Sequence, residues 1–411
     1  MSKENDQNFT VPEKLWNPMF IGIFIASGFM NLSTQMSNSM LSLYAKSIGA
    51  PADQIGTLMS MFALTALGVR FVAGPAMNAY NKTRLLQMAM FLFGTAYLGF
   101  SLSPAIAAAT GLQLITVLKI FRLIQGCGNA FGNSCLMSLV SEVIPPKQFS
   151  SGMAIYALAQ TVSQAIGPTV GVALRSALGY NASYIVTSVM MYFSIVLVWL
   201  LVHVPNRGTG KFELKLDTMI AKEALVPAVI TLLLSIGFTS INSFLLVYAE
   251  ERGISGGSLY FTVYALVLLA TRPFIGKMID KYGFVKISLP CLLMTAISLV
   301  LIGLSSSLPM LLLAGAVNAF GYGAVQPGIQ SIGMMSVTPD RRGSASSTNY
   351  IAMDAGTLIG PYICGVVANA FGYTPLMWVI MSLFSVAGLL FVIATRKRIT
   401  QIETDFANRM N

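Results

Sequence analysis

The sequence predicts an all-α membrane protein of twelve spanning helices, arranged as two pseudo-symmetric six-helix bundles. Three observations predict it. Of 411 residues, 55% are hydrophobic and only 10% charged, with a mean hydropathy of +0.72, whereas a soluble domain is about a quarter charged. Residues 19–30, 184–201 and 377–394 belong to apolar runs long enough, at about 1.5 Å per residue, to cross a hydrocarbon core of about 30 Å. Those runs lack the period-two alternation of a barrel, and backbone groups in lipid must pair internally, so helices remain. Third, the two halves of the chain repeat one another.

Apolar runs read against Gly, Pro and charged breaks give the elements in order. In the first half they fall at 18–44, closed by Lys46 and Gly49, 53–79, closed by the polar turn before Arg84, 84–103, closed by Pro104, 112–140, 150–176 and 181–203. The second half gives 223–248, closed by Glu250 to Arg252, then 257–280, 286–306, 308–335, 345–370 and 374–395, which ends at Arg396. Between the halves lies the longest polar stretch, 204–222, with Arg207, Lys211, Lys215 and Lys222 beside Glu213 and Asp217. It reads as a cytoplasmic linker between an N-terminal bundle, 18–203, and a C-terminal bundle, 223–395. Residues 1–17 and 396–411 then form cytoplasmic tails. The first apolar stretch is too long for a signal-peptide core and is expected to stay.

Basic residues orient the chain, because loops rich in Lys and Arg stay in the cytoplasm. Lys82, Arg84, Lys147, the linker, Lys277, Lys281, Lys286, Arg341, Arg342 and Arg396 to Arg398 all fall on the side of the amino terminus. Both termini are therefore expected inside a cell membrane. Only Lys46, Arg252 and Arg175 depart from the pattern.

The repeat is explicit in two places. Asn38-Ser39-Met40-Leu41-Ser42-Leu43-Tyr44-Ala45 aligns with Asn242-Ser243-Phe244-Leu245-Leu246-Val247-Tyr248-Ala249, with five of eight residues identical. Further on, Arg70 and Gly74 align with Arg272 and Gly276, and Asn78 with Asp280.

Gly276-Lys277-Met278-Ile279-Asp280-Lys281-Tyr282-Gly283, between helices eight and nine, resembles the G-x-x-x-D-[RK]-x-G loop of the major facilitator superfamily. The basic residue that usually follows the last glycine comes later, at Lys286. The resemblance implies a gating loop, with Asp280 pairing basic groups in one conformation and releasing them in another. A charge cluster that only fixes topology is the alternative. Arg70, Gly74 and Arg84 repeat the framework in the first half, where Asn78 takes the acidic position.

Arg122-Leu123-Ile124-Gln125-Gly126-Cys127-Gly128 in helix four resembles the family's R-x-x-Q-G-x-G motif, which implies a part for Arg122 in proton coupling. A buried arginine keeps its charge, so it must face a polar cavity, a carboxylate or backbone oxygens. It could equally hold neighbouring helices together. Lys119, one turn away, faces the same cavity or snorkels outward. Gly167-Pro168-Thr169-Val170-Gly171 in helix five and Gly356 to Pro361 in helix eleven, with Gly360 before the proline, are similar to the G-x-x-x-G-P-x-x-G motif of drug:proton antiporters. Ser163 and Cys364 replace outer glycines of that pattern. Small residues let helix backbones touch, and proline bends a helix, so packing alone also accounts for them.

Asp354 is the one carboxylate well inside an expected helix, where a charge costs about 2.5 to 3.5 kcal/mol on insertion scales. A carboxyl alternating between a dry setting and an arginine can load and release protons. A static ion pair is the competing reading. Polar stripes mark a substrate cavity: Asn31, Gln35 and Asn38 on helix one, Asn242 on helix seven, and Asn318, Tyr322 and Gln326 on helix ten. In the family, helices one, four, seven and ten line the central path.

The net charge of +10 is scattered between apolar runs, which excludes a nucleic-acid partner. Four cysteines lack metal-ligand spacing, and no phosphate-cradling loop or catalytic histidine array occurs. No cofactor, metal or enzymatic activity is expected. The chain reads as a monomeric secondary transporter in the lipid bilayer, moving a small-molecule substrate by alternating access, most simply as proton-coupled efflux of amphipathic compounds. An organic-anion importer or exchanger and a lipid-handling or receptor protein on the same scaffold are the alternatives.

Overall fold

The computed structural model describes residues 14–145, 149–204, 220–337 and 342–410. Among these residues it is helical throughout. The elements are α1 Pro18–Ser47, α2 Ala52–Ala79, α3 Lys82–Thr110, α4 Leu114–Val143, a run Phe149–Leu201, α7 Leu225–Glu251, α8 Leu259–Tyr282, α9 Phe284–Leu304, α10 Leu308–Met335, α11 Arg342–Phe371 and α12 Pro375–Met410. Gly179 (φ 77, ψ 173) breaks Phe149–Leu201 into α5 (149–178) and α6 (180–201). Only glycine takes that conformation freely, so one residue serves as the whole turn.

Local chemistry sets the ends. Asn17 caps α1, its side chain accepting from the Phe20 amide at 2.9 Å, with Pro18 at the first helical position, where no donor is needed. Asn81 caps α3 in the same way through Arg84. The expected stop of α3 at Pro104 does not occur. Proline removes the bond to the Phe100 carbonyl, and the Ser103 hydroxyl donates to that carbonyl instead at 2.8 Å. The helix therefore runs on to a cap at Gly111. In α10 a π turn, Ala319–Gly323, precedes Pro327, whose ring cannot donate to the Gly323 carbonyl. Finally, α12 continues to Met410 instead of ending at 395.

The chain forms two compact units. One holds the described residues up to Leu41 and from Leu64 to 204; the other holds Ser42–Ala63 and the described residues from 220 onward. Among the described residues, ten runs are long and apolar enough to cross a membrane, and large apolar side chains such as Phe91, Trp199, Phe274 and Leu383 are exposed on the helix surfaces. Lipid is the solvent that such a surface suits.

Lipid gives helices little hydrophobic reason to associate, so close backbone packing must hold each unit. In the first unit a Cβ on Gly128 would lie 2.9 Å from the Ala89 carbonyl oxygen of α3, and one on Gly94 would lie 2.8 Å from the Tyr192 ring of α6. The aligned repeats also show one shared contact. Ser163 of α5 donates to the Gly28 carbonyl of α1 at 3.2 Å, and a Cβ on Gly167 would meet that of Gln35 at 2.6 Å. In the second unit, a Cβ on Gly356 of α11 would lie 2.8 Å from the Leu232 carbonyl of α7, and one on Gly360 would lie 2.6 Å from Thr239 Oγ1. With Asn38 set against Asn242, Gly28 and Gln35 fall on Leu232 and Thr239. The Gly-Pro segments thus make the same helix contact twice, α5 on α1 and α11 on α7.

Candidate functional site

The expected site residues fall into two groups, one in each unit. In the first, α4 carries Arg122 into the interior, where it is 2% exposed. Its Nη2 donates to Asn38 Oδ1 of α1 at 2.9 Å, and its Nη1 donates to Gln125 Oε1 one turn along. Gln125 Nε2 in turn donates to the Tyr97 hydroxyl of α3 at 3.2 Å. Three helices are thereby tied through one guanidinium. The sequence offered a cavity, a carboxylate or backbone oxygens as partners for this cation, and side-chain amide oxygens fill that role. Charge-assisted bonds of this kind are about twice as strong as neutral ones. Lys119 is half-buried one turn before Arg122, and Gln35 is half-buried where α1 meets Gly167. Asn31 bonds within its own helix, to the Ser27 carbonyl at 2.8 Å and its hydroxyl at 3.3 Å. Gly171 meets Ser39 and Met36 of α1, one turn beyond Pro168.

In the second unit, α7 and α11 meet at Gly356 and Gly360, and Thr231 Oγ1 donates to Asn349 Oδ1 at 2.6 Å beside that contact. Asp354, two residues before Gly356, is 5% exposed. The backbone of Pro361 lies close against Gly56 of α2. Asn318, fully buried on α10, donates to the Tyr260 hydroxyl of α8 at 3.0 Å. Tyr322 lies in the π turn, its ring stacked on Phe238 of α7 at 4.1 Å with 8° between planes, and Tyr264 stands 5.9 Å from Phe238. Asn242 donates to the Phe238 carbonyl at 3.3 Å within α7, and Gln326 is half-buried one turn beyond Tyr322.

The loop expected to gate is described in part. Arg70 is half-buried on α2, and Lys281 is exposed near the end of α8 with its Nζ 5.1 Å from the Tyr282 ring centre. The side-chain surroundings of Gly74, Arg272, Gly276 and Asp280 lie outside the described residues. At the far end of the second unit, two of the three cations that depart from the charge pattern have partners. Lys46 Nζ is 2.9 Å from Glu251 Oε1 and 6.0 Å from the Tyr373 ring centre. Arg252 donates to the Tyr248 hydroxyl at 2.9 Å and to the Gly303 carbonyl at 3.3 Å. Burial, reinforced by Glu251, pushes the Tyr373 phenol up to about 12.

Sequence reasoning passed over Tyr97, Phe238 and Tyr260, since an aromatic residue in an apolar run gives no sign of a polar partner. Gln125 was visible as part of its motif. Among the described residues no group of three or more His, Cys, Asp or Glu comes together as a metal site.

Residues 23–261 and 227–407 match the profile of the Major Facilitator Superfamily. The chain is 19% identical over 373 residues to the quinolone resistance protein NorA of Staphylococcus aureus strain MSSA476, covering 87% of this chain and 91% of that one. It is 23% identical over 284 residues to the staphylopine export protein of Staphylococcus aureus strain Mu50, covering 64% and 66%. Among solved structures, a mutant of the peptide transporter POT superposes with a TM-score of 0.78 at 11% identity, covering 93% of this chain and 95% of that one. A mutant of the nucleoside transporter NupG gives 0.73 at 13%, covering 92% and 99%.

Proposed function

This multi-pass membrane transporter belongs to the Major Facilitator Superfamily, and from that premise we propose that it is a monomeric, proton-coupled exporter of amphipathic small molecules, working by alternating access in the plasma membrane with both termini inside. The observation that carries the reading is the buried carboxyl of Asp354, two residues from the point where α11 touches α7 at Gly356. A sliding of those two helices changes the surroundings of Asp354, and with them the free energy of its charged form. Arg122, bonded to α1 and linked through Gln125 to α3, supplies a fixed positive charge in the other unit. Similarity to a resistance protein and to an export protein supports outward transport.

The test uses purified protein in liposomes, with ethidium as the transported probe and an imposed pH gradient. Asp354→Asn abolishes gradient-driven accumulation and keeps exchange in the absence of a gradient. Gradient-driven accumulation unchanged in that variant removes Asp354 from the mechanism.

Lys119 favours a second reading, a carrier of organic anions. It and Arg122 place two cations on successive turns of α4, and an anion losing its hydration needs such charge. Under that reading Lys119→Gln weakens anion binding strongly. Under the first reading the same change leaves binding of a cation intact or improves it.

A further inference from the structure

The last turns of α12 lie against the base of the second unit. Residues 396–410 continue the helix, and they carry Arg396, Lys397, Arg398, Glu403 and Asp405, a composition typical of a solvated tail. Apolar residues interrupt it, Ile399 and Ile402 among them. Ile399 is fully buried in a cluster with Phe284, Ile329 and Val392, and Ile402 packs against the same cluster. Glu403 stands one turn from Ile399, so a single face of the extension presents all three.

Glu403 Oε1 accepts a hydrogen bond from the Phe284 amide at 2.8 Å, across 119 residues of chain. Phe284 is the first residue of α9, and α8 ends at Tyr282. Gly283 alone joins them, at φ 85 and ψ 152, and a Cβ there would lie 3.6 Å from Glu403 Oε2. The carboxylate therefore sits on a helix N-terminus whose first amides have no partner within the helix, where negative charge is favoured.

We propose that the end of α12 is a strap over the α8–α9 turn, with Glu403 as its positioning residue. The turn closes the Gly276 to Gly283 motif, so the strap fixes the last residues of the gating loop relative to α12. Three helices then move as one body at this end of the unit. An unstrapped Gly283 would let α8 swing against α9, since a single glycine offers little resistance to rotation.

The experiment is amide hydrogen exchange at Phe284 in the full-length protein, comparing Glu403→Ala and Glu403→Gln with the parent, alongside the melting temperature. Glu403→Ala speeds exchange at Phe284 and neighbouring amides of the turn by tenfold or more, with the melting temperature within a few degrees of the parent. Glu403→Gln keeps an acceptor oxygen and restores most of the protection. Exchange at Phe284 unchanged in Glu403→Ala overturns the strap. A rise spread evenly over α7 to α12 overturns it equally, because it marks general loosening rather than release of one turn.

Discussion

Lys46 Nζ lies 2.9 Å from Glu251 Oε1, joining the end of α1 to the end of α7 on the side of the chain that has few other basic residues. The repeat places these residues at matching helix ends, where Tyr44 aligns with Tyr248. A cation there runs against the charge bias expected to orient the protein, and it meets a carboxylate that offsets its charge.

The side chains of this pair are 25% and 44% exposed, which limits its stabilisation to about 0.2–1 kcal/mol. A double-mutant cycle with Lys46→Gln and Glu251→Gln is expected to return a coupling energy in that range, shrinking as salt is added. A coupling above about 2 kcal/mol would mean the pair is far better shielded than its exposure indicates.

Asn38→Ala removes the oxygen that accepts from Arg122 and leaves a buried guanidinium N–H without it. The expected loss is about 1–3 kcal/mol of stability, read as a lower melting temperature. Asn38→Asp keeps an acceptor and adds an opposite charge, so it should fall less. Equal stability of Asn38→Ala and the parent would show that the bond is replaced by water.

Gly360→Ala should destabilise by about 1–3 kcal/mol, because the added Cβ overlaps the Ile236 carbonyl and pushes α11 off α7. Gly28→Ala is the control, with nothing within 4 Å of its Cβ, and should be neutral or stabilising. Both variants melting with the parent would refute the claim that glycine contact holds these helices.

Thr110 and Lys281 are both exposed at helix ends, and the basic-loop rule puts them on opposite faces. Thr110→Cys should react with an impermeant thiol reagent in intact cells, and Lys281→Cys only after permeabilisation. Reaction of both from the same face would overturn the twelve-helix topology.

The helices were legible because lipid makes apolarity nearly continuous along each span, and the Gly-Pro segments because small residues at fixed spacing have few uses besides contact. Helix ends were less so. Pro104 reads as a stop until the Ser103 hydroxyl is seen on the Phe100 carbonyl, a bond that depends on a side-chain rotamer and not on composition. The end of α12 was hidden for a related reason: Ile399 and Ile402 look incidental among charges until Phe284 is seen beside them. Of the site, the Arg122 motif was plain, while its tie to Asn38 requires two helices distant in sequence to be brought together. The spacing of Asn31 and Asn242 predicts cavity residues, and the structure adds that each donates to a carbonyl of its own helix.

The single-residue turn at Gly283 bears on how the chain is made. α8, Leu259–Tyr282, carries Arg272, Lys277, Asp280 and Lys281 in its second half, whereas α9, Phe284–Leu304, carries a single charge, Lys286, near its start. Charges within a spanning helix oppose its partitioning, by up to about 2.5–3.5 kcal/mol each at the bilayer centre. With one glycine between them, the two segments are expected to enter the bilayer as a hairpin. The hydrophobicity of α9 then draws its weaker partner into the bilayer, so biogenesis of this pair is a joint event and not two successive ones.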